Sequence, residues 1–159
     1  MQTPRVDPRA VVPARSVVVV EDDALVREQL VAAMRAVGID VRAAVSGVVR
    51  GYDAVVGTDP DVVVLDDRLP DGLGVDLCRR LAADRPDVRV VVHTSAMTTT
   101  EQRAALDAGA VAVVSKNVRP DALLHAVLCS PRQFPGRAGA WKITPVRSVH
   151  PSDVRTKQA

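Results

Sequence analysis

Short runs of valine recur along this 159-residue chain, and they constrain its fold more than any other feature. Each run is too short for a typical helix, and its β-branched residues favour strands that are buried on both faces. Stretches with helical apolar spacing separate the runs. This alternation predicts an α/β domain in which helices cover both faces of a parallel sheet. The four clearest runs are residues 17–20, 62–65, 88–92 and 111–114.

We expect five strands and five helices between residues 16 and 129. The strands should span about residues 16–20, 40–45, 61–66, 88–93 and 111–115. Four helices should span about residues 23–37, 75–83, 98–108 and 119–129. A weaker second helix should be capped by Ser46, contain Gly47 and Gly51, and end at Gly57.

The first helix has the clearest amphipathic pattern, and Gly38 is its expected stop. Its inward face should consist of Leu25, Val26, Leu30, Ala33, Met34 and Val37.

A polar or charged side chain closes each valine run. Since parallel strands end at the same edge of a sheet, these side chains should converge on one crevice. Three carboxylates crowded there would repel one another by roughly 4 kcal/mol per pair at about 4 Å and an effective dielectric near 20. Oxygen ligands of this kind favour Mg²⁺. The converging residues are Glu21 and Asp22, Asp66, Thr94, and Lys116.

Taken in order, these residues resemble the motifs of the receiver domain of two-component response regulators, over about residues 16–129. That family carries an acidic pair after the first strand, a phosphorylated Asp in D-x-x-L/M-P after the third, Ser or Thr after the fourth, and Lys after the fifth. Here Asp66 stands three residues before Leu69-Pro70. The segment 108–110, Ala-Gly-Ala, lies between the hydroxyl and lysine positions as in the family.

The resemblance implies a flavodoxin-like (βα)5 doubly wound sheet with strand order 2-1-3-4-5. It also implies phosphoryl transfer from a histidine kinase or histidine phosphotransfer protein to Asp66. Such a protein accepts and loses its own phosphoryl group and is not otherwise an enzyme. Signalling would proceed through a two-state surface formed by helix four, strand five and helix five, which a downstream protein could contact.

The family also implies a role for each residue of the crevice. Asp22 would bind Mg²⁺ directly together with Asp66, and Glu21 would act through water. The backbone carbonyl of Arg68 would complete the protein ligands. Phosphoryl oxygens would pair with Lys116, and Thr94 would move inward to hydrogen-bond them.

Several neighbouring residues leave alternatives open. Asp23 is interpreted as a helix cap rather than a ligand, and Asp67 as a solvated loop residue. Ser95 is a rival to Thr94 for the hydroxyl position. The Arg68 side chain would either overhang the phosphoryl group or point into solvent.

Three further positions bear on the proposed switch and its surroundings. The family often has an aromatic residue on strand five where this chain has Val113. His93 is interpreted as a packed, hydrogen-bonded core residue, and His125 as a residue facing the surface or a partner.

Composition indicates where the protein is located, what its cysteines do and how its ends behave. No segment approaches about 18 uncharged apolar residues, and the start has no signal-peptide core, so we expect a cytoplasmic protein with no membrane association. Cys78 and Cys129 lack metal-ligand spacing and are expected to be small, buried or half-buried apolar residues, not part of a disulfide or zinc site. Residues 1–15 and 130–159 are basic and proline-rich, which predicts disordered ends.

Function therefore has a leading hypothesis and three alternatives. A truncated DNA-binding response regulator and a degenerate receiver acting only as an interaction module both remain possible. Direct DNA binding is not expected, since the basic end is too short for an effector domain. A Mg²⁺-dependent Toprim-type enzyme fits poorly, because Glu21 lacks a following Gly and Asp66-Asp67 do not form D-x-D.

Overall fold

Five parallel strands form the centre of the computed structural model, which describes residues 16–130. The expected disorder of residues 1–15 and 131–159 lies outside the described residues. In chain order the strands are β1 Ser16–Val20, β2 Asp40–Val45, β3 Val62–Leu65, β4 Arg68–Leu69, β5 Gly72–Leu73, β6 Arg89–Thr94 and β7 Ala112–Ser115. The helices are α1 Ala24–Ala36, α2 Val48–Thr58, α3 Gly74–Asp84, α4 Thr99–Asp107 and α5 Pro120–Cys129.

The main sheet has the order β2-β1-β3-β6-β7, which confirms the flavodoxin-like topology. The chain runs outward from β1 to β2 and then crosses to β3 on the other side of β1. This reversal opens a crevice at the carboxyl ends of β1 and β3, where α/β proteins place their sites. Val20 pairs with Leu65 in register, so the residues that follow them come side by side.

Alternate residues of the central strands supply two apolar layers. On one face Val18, Val20, Val63 and Leu65 pack with α2, α3 and α4; on the other Val17, Val19 and Val64 pack with α1 and α5. Burial of each such side chain contributes roughly 1.5–3 kcal/mol. The central strands are consequently held from both sides, and their carboxyl ends form a rigid frame.

Two apolar residues assigned to the inward face of α1 are exposed instead. Leu25 is 64% exposed and Val37 47%, whereas Leu30 and Met34 are buried. Leu25 and Val37 lie at or beyond the ends of the helix, where the apolar stripe no longer faces the sheet.

The predicted Ser46 cap of α2 is wrong. Gly47 is the N-cap and makes no side-chain hydrogen bond, while the first amides of α2 donate to Asp71 from another part of the chain. The helix continues past Gly57 to Thr58, and Asp59 ends it in the left-handed conformation with φ 49°. The short antiparallel pair β4–β5, which carries Asp71 at its turn, was not predicted.

The packed region extends one residue beyond the expected boundary at 129. Ser130 is buried, its hydroxyl donates to the carbonyl of Ala126, and its carbonyl accepts from Arg89. Cys78 is buried, as expected, but the expected burial of Cys129 is wrong, because this last residue of α5 is exposed; both are free thiols. Between residues 16 and 130, no helix is long and apolar enough to cross a membrane.

Candidate functional site

Three carboxylates gather at the crevice between β1 and β3. One oxygen from each of Glu21, Asp22 and Asp66 lies within 4.8 Å of the others. Lys116, which follows β7, reaches into this group: its Nζ lies 2.8 Å from Glu21 Oε2 and 3.1 Å from Asp66 Oδ2. Residues far apart in sequence therefore form one acidic cluster bridged by a lysine.

Burial differs sharply within the cluster. Glu21 is 1% exposed and Asp66 6%, while Asp22 is exposed. Two carboxylates thus line the floor of the crevice and the third stands at its mouth. A ligand arriving from solvent would meet Asp22 first.

Hydrogen bonds from both backbone and side chains fix the loop after β1. The Glu21 amide donates to the Val45 carbonyl at 2.9 Å, and the Asp23 amide donates to Glu21 Oε1 at 3.2 Å. The Arg27 guanidinium donates to the Glu21 carbonyl at 2.8 Å and, less closely, to that of Asp22 at 3.4 Å. Arg27 thereby braces both acidic residues from the first turns of α1.

Asp23 caps α1, as expected. Its Oδ1 accepts from the amides of Leu25 at 2.9 Å and Val26 at 3.0 Å. Because both hydrogen bonds turn the carboxylate toward the helix, the structure supports the interpretation of Asp23 as a cap.

The position of Asp66 raises its pKa to about 7. Burial is the largest cause; the hydrogen bond from Lys116 opposes it, and the charge of Glu21 and a hydrogen bond with Asp67 add to it. For Lys116, burial works to lower the pKa, but hydrogen bonds with Glu21 and Asp66 outweigh it and raise the pKa above its ordinary value. Asp66 and Lys116 therefore both hold a proton more readily in this cluster than they would in water.

Thr94 ends β6 close to Lys116 but bonds to its own loop. The Lys116 amide donates to the Thr94 carbonyl at 2.6 Å, and Thr94 Oγ1 donates to the Ala96 carbonyl at 3.4 Å. Thr94 is buried and Ser95 exposed. The burial of the Thr94 side chain at the strand end favours it over Ser95 for the hydroxyl role.

The expectation that Asp67 is a solvated loop residue is wrong. Its side chain is only 13% exposed, although it lies in the loop that follows β3. The Arg68 side chain is 75% exposed, with Nε 3.8 Å from Asp67 Oδ2. Of the two alternatives for Arg68, the structure therefore favours the side chain that points into solvent.

His93 is buried on β6, but the expected hydrogen bonding is incomplete. Among the described residues, its Nδ1 has no hydrogen-bond partner. Burial, followed by the charge of Lys116, lowers its pKa to about 4, so the imidazole is neutral near neutral pH. His125 is exposed on α5, as predicted.

Comparison with known proteins identifies the family to which this chain belongs. The family model described as the response regulator receiver domain matches residues 17–128. The chain belongs to the response regulator receiver domain family. This receiver domain is 38% identical over 112 residues to the DNA-binding transcriptional activator DevR/DosR of Mycobacterium tuberculosis, covering 70% of this chain and 52% of that protein.

A second relative and two solved structures support the same assignment. The response regulator MprA of Mycobacterium sp. (strain KMS) is 37% identical over 94 residues, which cover 59% of this chain and 40% of MprA. The chain thus spans about half the length, or less, of these curated relatives. The BeF3-activated receiver domain of Klebsiella pneumoniae RstA matches with TM-score 0.66 and 28% identity, covering 70% of this chain and 94% of that one. The receiver domain of NarL from Mycobacterium tuberculosis has TM-score 0.68 at 23% identity, with coverages of 72% and 94%, and shows the fold alone.

The acidic cluster of this receiver domain suits a hard divalent cation. Its carboxylates supply oxygen ligands only, two of them are buried, and the single charge of Lys116 is shared between Glu21 and Asp66. Such a donor set fits Mg²⁺, which binds few carboxylates and retains waters. The Arg68 carbonyl remains a predicted ligand.

Two residues that organise the receiver site were not identified from sequence. Arg27 braces the acidic loop and Asp71 holds the start of α2. Arg27 has the ordinary polar spacing of a helix, so its pattern carries no signal. For Asp71 a weak signal exists, because Gly47 leaves α2 without a side-chain cap.

Proposed function

We propose that this receiver domain accepts a phosphoryl group on Asp66 from a phosphohistidine of a histidine kinase or histidine phosphotransfer protein, in a Mg²⁺-dependent reaction. The observation that carries the proposal is the contact of Lys116 Nζ with Asp66 Oδ2 inside a cluster of three carboxylates. A buried carboxylate with a cation beside it, at the carboxyl end of a central strand, is placed to attack an incoming phosphoryl group.

In this reaction a carboxylate oxygen of Asp66 forms a bond to phosphorus as the phosphorus–nitrogen bond of the donor breaks. The product is an acyl phosphate, and the nitrogen of the departing imidazole keeps the electron pair of the broken bond and takes up a proton from solvent. Lys116 shifts from the carboxylates to the phosphoryl oxygens, where it offsets their charge. Little further chemistry is required, since positioning and charge neutralisation carry most of phosphoryl transfer.

A Mg²⁺ ion, when bound, would supply the positive charge that the carboxylates and the phosphoryl oxygens share. Asp22 and Asp66 would hold it directly, with the Arg68 carbonyl, and Glu21 would act through water. The exposure of Asp22 leaves an entry path, and the burial of Glu21 keeps its charge from being screened.

Phosphorylation would act as a switch on the surface formed by α4, β7 and α5. Thr94 would exchange its hydrogen bond to Ala96 for one to a phosphoryl oxygen, drawing the loop after β6 inward. Val113, half-buried on β7, offers no aromatic ring to follow that movement. The switch would therefore act through displacement of the loop backbone.

The proposed role is that of a signal acceptor located in the cytoplasm, not of a turnover enzyme. DevR/DosR is described as DNA-binding, but the matched residues cover only about half of it. We therefore propose a protein partner at the α4-β7-α5 surface, and assign no DNA contact to residues 16–130.

The test is to treat the protein with acetyl phosphate and Mg²⁺, reduce it with borohydride, and locate the modified residue by mass spectrometry. We expect modification of Asp66, dependence on Mg²⁺, and complete loss in Asp66→Asn. Asp67→Asn is the matched control and should still be modified. Label on Asp67, or undiminished labelling of Asp66→Asn, would overturn the assignment.

A further inference from the structure

Asp71 lies at the turn between β4 and β5 and fastens that hairpin to a distant helix. Its Oδ1 accepts from the Val48 amide at 2.7 Å and its Oδ2 from the Val49 amide at 3.0 Å. These are two of the first amides of α2, which no residue of the helix itself can pair. The hydrogen bonds from Val49 and Val48 lower the pKa of Asp71, so the carboxylate stays charged in the neutral range.

Gly47 is the residue that makes room for this contact. A Cβ at position 47 would lie 2.8 Å from Asp71 Oδ1 and 3.0 Å from Oδ2. The backbone of Gly47 is extended, with φ −158°, so other residues could adopt its conformation. The space taken by the carboxylate, and not the backbone, therefore accounts for glycine at this position.

The base of the same loop is closed by a second tight contact. The Gly74 amide donates to the Asp67 carbonyl at 2.8 Å, and a Cβ on Gly74 would lie 2.1 Å from the Asp66 carbonyl oxygen. Between base and tip, β4 and β5 contribute only two residue pairs, Arg68 with Leu73 and Leu69 with Gly72. The loop is thus held at its base by Gly74 and at its tip by Asp71.

We propose that Asp71 is a positioning residue, which latches the loop carrying the Arg68 carbonyl onto the first turn of α2 and so prepares that carbonyl for Mg²⁺. This inference rests on the proposed Mg²⁺-dependent function. Without the latch, the hairpin would be held by its short ladder, its base and the packing of Leu69 against the core, and its tip would lose its attachment to α2. Each binding event would then have to order the hairpin again, at a cost in conformational entropy.

The first measurement is calorimetric titration of the full chain with Mg²⁺. Asp71→Ala should bind Mg²⁺ about fivefold more weakly than wild type, corresponding to the loss of one helix-cap interaction. Asp71→Asn retains one acceptor oxygen and should fall between the two. Gly47→Ala should weaken binding as well, and should add nothing in the Asp71→Ala background, where the displaced carboxylate is absent.

Arg42→Ala is the matched control. Arg42 Nη1 donates to the carbonyls of Thr58 and Asp59, both at 2.7 Å, and so caps the opposite end of α2. Its loss should weaken the same helix while leaving Mg²⁺ affinity within twofold of wild type.

Amide hydrogen exchange in the metal-free protein gives a readout independent of Mg²⁺. Asp71→Ala should speed exchange at Val48, Val49 and residues 67–73, whereas Arg42→Ala should speed it only at the far end of α2. Wild-type Mg²⁺ affinity in Asp71→Ala, despite faster exchange at Val48, would overturn the positioning role. Equal loss of affinity in Arg42→Ala would overturn it too, by showing a general effect of helix stability.

A failure of the proposed Mg²⁺-dependent function would give a different result in the same titrations. If Asp22→Ala left Mg²⁺ affinity unchanged, the metal site itself would be wrong, whatever the behaviour of Asp71→Ala. Loss of Mg²⁺ affinity in both Asp22→Ala and Asp71→Ala, with faster exchange only in the latter, is the expected result.

Discussion

Asp66 occupies a position where its own charge costs stability when no cation is bound. Burial raises its pKa to about 7 from an ordinary 3.8. Since the folded state holds the proton more tightly, stability falls as pH rises from about 4 through about 7, and the full cost is present above that range. The residue that we propose as phosphoacceptor is therefore a weak point of the metal-free fold.

We expect Asp66→Asn to be more stable than wild type at about pH 8 in EDTA, by on the order of 2 kcal/mol. At about pH 4 the difference should shrink, because wild-type Asp66 is then protonated in the folded state. Urea unfolding at the two pH values measures this. Asp53→Asn, which changes an exposed carboxylate on α2, is the control and should match wild type at both. Equal stability of Asp66→Asn and wild type at about pH 8 would contradict the expectation.

His93 has the opposite dependence on pH. Burial lowers its pKa to about 4 from 6.5, so the unfolded state binds the proton more readily. Stability from the neutral imidazole is complete above about pH 6.5 and is lost as pH falls toward about 4, with a slope of at most about 1.4 kcal/mol per pH unit. His93→Leu should flatten acid unfolding between those values, whereas His125→Leu, at an exposed site, should not. An unchanged acid limb in His93→Leu would refute this.

At the scale of the elements, local patterns predicted well wherever the residues that decide a structure are neighbours in sequence. The valine runs indicated four of the five sheet strands, and the Asp23 cap lies two and three residues from the amides it accepts from. The start of α2 was mispredicted because Asp71 lies 23 residues from Val48. For the same reason the sequence did not predict that His93 Nδ1 lacks a hydrogen-bond partner among the described residues. That outcome depends on whether the side chains packed around it, which are distant in sequence, carry a donor or an acceptor.

Two glycines test how closely the elements approach one another. Gly74 begins α3, and a Cβ there would meet the Asp66 carbonyl oxygen at 2.1 Å, whereas a Cβ on Gly57 in α2 would have no neighbour within 4 Å. Gly57→Ala should stabilise the protein by about 0.5 kcal/mol through helix propensity. Gly74→Ala should destabilise it by roughly 3 kcal/mol or more, since backbone must move. Thermal unfolding compares the two; similar midpoints would show that the loop at Asp66 is not tightly packed.

At the scale of the molecule, the sheet order brings together residues that no single segment carries. Glu21 follows β1, Asp66 follows β3 and Lys116 follows β7. Yet a carboxylate oxygen of Glu21 and one of Asp66 both lie within hydrogen-bond distance of Lys116 Nζ. The cluster could be expected from the strand ends, because parallel strands share an edge. Its uneven burial could not, because that depends on how the loops fold over Glu21 and Asp66.

Mg²⁺ should stabilise the whole domain, since a cation that binds only the folded state shifts the unfolding equilibrium. At a concentration of about 100 times the dissociation constant, the gain should be about 2.7 kcal/mol. Thermal unfolding of wild type with and without Mg²⁺ measures it. Asp22→Ala should lose most of the gain while remaining folded, and a full Mg²⁺ response in that variant would show that the ion binds elsewhere.

The described domain begins and ends at the same pole. Ser16 opens β1, where its amide and hydroxyl donate to Asp61, and Ser130 is held by Arg89 at the opening of β6. A strand of six residues spans about 20 Å, so both attachment points lie roughly that far from the acidic crevice. A label or surface tether joined at Ser16 or Ser130 would therefore be attached at the end of the sheet opposite the crevice. Attachment of the domain and binding at its acidic crevice would then take place at opposite ends of the sheet.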